Sequence, residues 1–286
     1  MLFWRYDFQK MTGKCWWSLG ENNLGMIWHR LNRRWLIVAF GLAVSLAMGQ
    51  FLQKLPKISG HNPFFLSPYT EWLGIDNFSA LAMAYYLLLP LLAVLPVGSL
   101  LQQDLRNGFH YQLRMKRSVK AIFRGYFGWS FILGGLVVSG PLVMNLLAYL
   151  LVLPNLQPDN LLHSNVLVVH DNTINVGLYY THPFWHAMLS IGLVFVWGAL
   201  LSCLVTGLSF FTTKPFVAFG SMVFGQIGLL MVDAFNWLPH SLAPANLLKE
   251  SANASVTGPT MVALTICLFV VTLGVMTVGW RRYLYA

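Results

Sequence analysis

The chain has 286 residues, of which 57% are hydrophobic and only 9% charged, and its mean hydropathy is +0.61. Soluble domains carry about 25% charged residues, so water is excluded as the main solvent of this chain. The formal net charge of +9 comes from cations that flank apolar runs, a pattern that fits anionic lipid and the orientation rule of membrane proteins and excludes nucleic acid as the partner. Cys15, Cys203 and Cys267 are odd in number, and two of them lie inside apolar runs, so no disulfide framework is expected.

In chain order, residues 1–34 are basic and aromatic. Trp4, Phe8, Met11, Cys15 and Leu19 recur at helical spacing with Arg5, Lys10 and Lys14 off that stripe, and a second stripe follows through Leu24, Ile27, Trp28 and Leu31. The segment reads as a helix lying on the membrane surface. It precedes the first apolar run without a small-residue cleavage site, so that run is expected to be a retained span and not a signal peptide. Apolar runs long enough to span lie at about 35–53, 79–101, 126–153, 186–211, 215–238 and 260–280. The fourth and fifth are separated only by Thr212, Thr213, Lys214 and Pro215, and proline breaks helical continuity, so a tight hairpin is expected there.

Six spans with both termini inside put fifteen Lys and Arg on the cytoplasmic side and only Lys54, Lys57 and Lys249 outside. Such an asymmetry requires an even number of crossings. The fold expected is therefore an all-α integral membrane protein, a single domain over 1–286, with outer caps at about 54–78, 154–185 and 239–259. Pro239 and Pro244 bracket turns in the last of these, ahead of a short apolar helix. The pairs Ser130/Gly134, Gly135/Ser139, Gly198/Ser202 and Ser221/Gly225 have the spacing that lets helices approach closely in lipid.

Ionisable residues in a span mark function, and few occur. Asp233 lies about 28 Å beyond Lys214 along a helix, near the outer surface, where a solvated or hydrogen-bonded role is expected. Gln226 is nearer mid-depth and either bonds a neighbouring helix or lines a polar path. His182 and His186 have the i, i+4 spacing of a zinc pair but lack the glutamate of the zinc-protease motif, and Pro183 sets His182 ahead of the helix. No Gly-x-x-x-x-Gly-Lys-Ser/Thr loop occurs, so nucleotide hydrolysis is expected on another chain.

Between the second and third runs, Leu101, Leu105, Phe109 and Leu113 repeat every four residues, which predicts one short amphipathic helix over 102–118 with its polar groups turned to the cytoplasm. Ser118 is placed to cap the helix that follows. A proline-rich second span (Leu89-Pro90-Leu91 through Leu95-Pro96), then Asp104, Gly108, the basic stretch Arg114 to Arg117, and Lys120 leading into span three, resembles the ABC type 2 permease family. Residues 1–34, 102–118 and 239–259 match that family's surface helix, coupling helix and outer cap. The resemblance implies an exporter subunit of the bacterial cytoplasmic membrane. It implies coupling to cytoplasmic ABC ATPase subunits through Asp104, Leu105, Gly108, Phe109, Leu113, Arg114 and Lys116. It also implies a second permease subunit, membrane lipid around both, no cofactor on this chain, and ATP with Mg on the ATPase. The scarcity of charge in the spans suits an amphipathic peptide, a lipid-like molecule or a drug as cargo. Two other readings stand beside this one: a non-transporting immunity or sensor protein that binds a peptide, and a membrane-embedded metalloenzyme built on the His pair.

Overall fold

A computed structural model describes residues 27–28, 30–60, 66–76, 78–98, 100–116, 118–159, 175–212, 214–250 and 256–285, apart from the side chains of 59, 60, 110, 114, 116, 215, 216 and 283–285. Of the surface helix expected over 1–34, residues 1–26 and 29 lie outside the described set, as does the middle of the second cap. All regular structure among the described residues is helical. In chain order the elements are α1 (Arg33–Gly60), α2 (Pro68–Glu71), α3 (Ala80–Val94), α4 (Leu100–Arg106), α5 (Phe109–Lys116), α6 (Val119–Val152), α7 (Val176–Thr181), α8 (Pro183–Leu208), α9 (Pro215–Ala234), α10 (Pro244–Leu248) and α11 (Gly258–Tyr285). Four of them start on proline, whose fixed φ suits a first helical turn and whose missing N–H has no partner there anyway.

Five helices are long and apolar enough to cross a membrane: Arg33–Ile58, Val119–Val152, Pro183–Leu208, Val217–Ala234 and Gly258–Arg282. These make the chain a multi-pass helical membrane protein. The expected hairpin is present, with α8 ending at Leu208 and α9 beginning at Pro215. The second expected span is shorter than its apolar run. Helix α3 has 15 residues and gives way to turns over 95–98, where Pro96 removes an amide that would continue the ladder. At 1.5 Å per residue α3 is about 22 Å long, short of a hydrocarbon core of about 30 Å.

Helix α6, 34 residues long, and α8 form the centre. They cross where Gly134 meets Gly198 and Ser202. A Cβ on Gly134 would collide with Ser202 and stand 2.9 Å from the Gly198 carbonyl, and one on Gly198 would stand 2.8 Å from the Gly134 carbonyl. Ser130 and Thr206 add a 2.7 Å hydroxyl bond to the same crossing. The small-residue spacing thus marks a real close approach of backbones. The Ser221/Gly225 pair on α9 has no such neighbour, since a Cβ on Gly225 meets nothing within 4 Å. Helix α3 packs against α1, α6, α8 and α9, so this short apolar helix is surrounded by longer ones. The windows of α9 and α11 keep most of their apolar surface exposed, with Phe224, Met231, Val262 and Ile266 all outward.

The two ends of the bundle differ. One carries Arg30, Arg33, Arg34, Arg106, Lys120, Arg124, Lys214, Arg281 and Arg282, and Asp104 is its single acid among the described residues. Contacts of Phe123 with Phe210 and Trp280, and of Arg282 with the Phe211 ring, bring these segments together. The other end is capped by residues 66–76, by α7 and by α10, which bury Trp72, Leu73, Ile75, Tyr179, Leu247 and Leu248 against the helices. The first is the basic end and the second the capped end.

Candidate functional site

The segment between α3 and α6 stands at the basic end and is two helices, not the single one expected over 102–118. Asn107 and Gly108 form the break, and Gly108 sits at φ 69°, a left-handed conformation that glycine adopts without strain. The four-residue stripe survives the break because both pieces lean on the same cluster. Leu101 and Leu113 are buried and Leu105 and Phe109 half-buried, all packed with Ile27, Leu31, Ile122 and Tyr126.

Asp104 was expected to project into water with the other polar groups. Instead it is buried, accepting hydrogen bonds from the Arg30 guanidinium and the Tyr126 hydroxyl. A buried carboxylate needs a partner charge and donors to offset its lost hydration, and the two residues supply both. The Arg30 guanidinium also lies 3.4 Å from the centre of the Phe109 ring, a cation–π contact. One side chain thus ties together the segment before α1, both short helices and the start of α6. Trp28 stacked on Trp129 at 4.9 Å reinforces the same junction. Ser118 does precede α6, but its hydroxyl makes no capping bond.

With the inner face so anchored, α5 turns the opposite face to solvent. Tyr111 is 56% and Met115 81% exposed, one helical turn apart. Two large apolar side chains displayed side by side on an anchored helix form a knob that another surface can receive. Their spacing was readable in the sequence, and their exposure was not. Arg114 and Lys116 belong to α5 by their backbone, and their side chains are outside the described set.

Gln226 is buried and donates to the carbonyls of Tyr86 and Leu87 at 2.8 and 3.2 Å, an amide tying α9 to α3. Asp233 binds Ser241, the Leu242 and Ala243 amides at 3.2 and 3.4 Å, and Asn246 at 3.0 Å, so it serves as the anionic cap of α10. His182 is exposed at the start of α8, whereas His186 is buried with Nδ1 3.2 Å from Glu250 Oε2. No group of three or more His, Cys, Asp or Glu able to hold a metal occurs among the described residues.

The capped end holds a polar core that no sequence motif announces. Asn145, on α6, donates to the Ala47 carbonyl at 2.7 Å and to Gln50 Oε1 at 3.1 Å, and accepts from the Leu73 amide at 2.9 Å. Gln50 in turn bonds Asp76 at 2.7 Å and the Glu71 carbonyl at 3.0 Å. Lys54 Nζ lies 2.6 Å from Glu71 and 2.9 Å from Asp76, and Lys57 is 3.8 Å from Glu71. Burial pushes the Lys249 ammonium down to about 8, with Asp76 acting in the opposite sense and Lys54 in the same one. Comparison with models of protein families, with curated proteins and with solved structures returns no match to this chain.

Proposed function

We propose that the chain is the membrane-spanning subunit of an ATP-driven transporter of the ABC type. It crosses a bacterial cytoplasmic membrane six times with both termini inside, α3 continuing through the 95–98 turns and α4 to complete the second crossing. The basic end lies in the cytoplasm, where the orientation rule places Lys and Arg, and the capped end lies outside. The observation that carries this reading is α5: an apolar knob, Tyr111 and Met115, on a short helix pinned to the bundle through Arg30, Asp104 and Tyr126.

In this reading two cytoplasmic ATPase subunits bind ATP with Mg and receive the knob. Their closure moves α5. The Phe109 and Leu113 contacts and the Asp104 clamp pass that displacement to α6, a single 34-residue helix that reaches the capped end. Packed helices respond to a push by rocking between discrete arrangements, not by bending continuously, so access to a path beside a second permease subunit alternates. The cargo is exported and is amphipathic: a peptide, a lipid-like molecule or a drug.

The test is purification of the tagged chain from its native membrane. A nucleotide-binding ATPase is expected to accompany it, and Phe109→Ala with Leu113→Ala to reduce the ATPase activity of that complex several-fold. Absence of any nucleotide-binding partner, together with an undisturbed complex in the double variant, overturns the proposal.

A further inference from the structure

Glu250 follows α10 and is buried at the capped end, its amide donating to the Gly74 carbonyl at 3.2 Å and its carboxylate accepting from the Ser190 hydroxyl. Those bonds join three elements: the cap after α2, the cap after α10, and α8. Every fixed cation described near this end is engaged elsewhere. Lys54 and Lys57 face Glu71 and Asp76, and Lys249 faces Asp76 and Lys54. The other groups turned toward Glu250 carry no positive charge. Tyr86 comes from α3, with Tyr85 beside it, and Tyr179 comes from α7, with Tyr180 beside it and the Glu71 carboxylate also in its field. Tyr86 and Tyr179 are buried, and their hydroxyls have no hydrogen-bond partner among the described residues; the same holds for the indole N–H of Trp72 in the adjoining cap.

The remaining titratable partner of Glu250 is His186, whose Nδ1 stands 3.2 Å from Oε2 and whose ring meets Tyr179 edge-on at 5.3 Å. A neutral imidazole leaves a lone carboxylate in a buried site, which is expensive. One added proton makes the pair neutral as a unit, whether written imidazolium–carboxylate or imidazole–carboxylic acid. We propose that His186 and Glu250 form a proton-binding latch that holds the cap segments 66–76 and 241–250 closed while it carries its proton and releases them as the pH rises. The sign follows from burial, which raises the Glu250 carboxyl above its ordinary range, with His186 and Ser190 opposing. A group raised on folding lends its stability below its unfolded pKa and loses it as the pH climbs through the folded one. The inference does not depend on the transport reading, because it concerns only how the cap is held.

The test is hydrogen exchange of the full-length protein in lipid nanodiscs between pH 6 and pH 9.5, corrected for intrinsic rates. Protection of the Glu250 amide is expected to fall at least tenfold over that range in the wild type and to stay level in Glu250→Gln, whose side chain does not titrate. Constant protection in the wild type, or an equal fall in the variant, overturns the proposal. If Glu250→Gln does not fold, the wild type alone decides the matter. Loss at the Glu250 amide while the amides of the central helices α6 and α8 keep their protection supports the latch, and uniform loss across the bundle contradicts it.

Discussion

Gly134 and Gly198 set the distance between the two central helices, and their neighbours leave no room for a side chain. Replacing either with valine forces α6 and α8 apart, and overpacking of this kind costs about 1–3 kcal/mol. The thermal unfolding midpoint in detergent is expected to drop accordingly. Gly225→Ala supplies the contrast: it has the same motif spacing but open surroundings, so the midpoint is expected to hold or to rise by the equivalent of up to about 1 kcal/mol of helix propensity. Asn145 satisfies three backbone or amide partners at once. Asn145→Leu leaves the buried Leu73 amide without its acceptor and takes a donor from the Ala47 carbonyl and from Gln50, which keeps the Tyr149 hydroxyl. A loss of about 1–3 kcal/mol is expected in the same melt. Spacing alone made the small-residue pairs legible, because i, i+4 residues share a helix face whatever the fold. The partners of Asn145 and of Glu250 were illegible. Gln50 is 95 residues from Asn145, and residues 186 and 250 are also far apart in sequence, so no periodicity connects them.

At the scale of elements, the length of the apolar runs correctly placed five long helices, and Pro215 the hairpin. Length misjudged the second run, since hydropathy registers composition and is blind to the backbone effect of Pro96. The hydrophobic period found the buried stripe of 101–113 but joined two helices into one, because Gly108 changes the chain direction without changing the polarity pattern. Asp104 was misplaced for a related reason: a carboxylate reads as solvated until its partners, Arg30 and Tyr126, arrive from distant parts of the chain. The two faces of α5 therefore make opposite demands. Tyr111→Ala with Met115→Ala removes exposed side chains, and the melting transition is expected to move by less than about 0.5 kcal/mol while, on the transport proposal, stimulation of the ATPase falls. Phe109→Ala strips the ring from beneath Arg30 and is expected to lower stability by about 1–3 kcal/mol as well.

For the molecule as a whole, charge is sorted between the ends: cations crowd the basic end, and the capped end holds nearly all the described acids, paired with lysines or set into helix and cap hydrogen bonds. Lys249 at the capped end is desolvated, and its folded pKa of about 8 lies below the ordinary 10.5. A depressed base contributes its stability above the unfolded pKa and loses it as the pH falls through the folded one. Lys249→Met is therefore expected to raise the unfolding midpoint at pH 7, with the gain fading toward pH 10.5. That titration runs opposite to the Glu250 latch, so the two variants separate the contributions of neighbouring residues. Topology connects both ends to the account as a whole, because a helix that receives force must meet the cytosol. The direct measurement is labelling of Met115→Cys by a membrane-impermeant maleimide, in a background where Cys15, Cys203 and Cys267 are serine. Modification only after the cells are permeabilised is the expected result, and modification in intact cells contradicts the placement of α5 on which the transport reading stands.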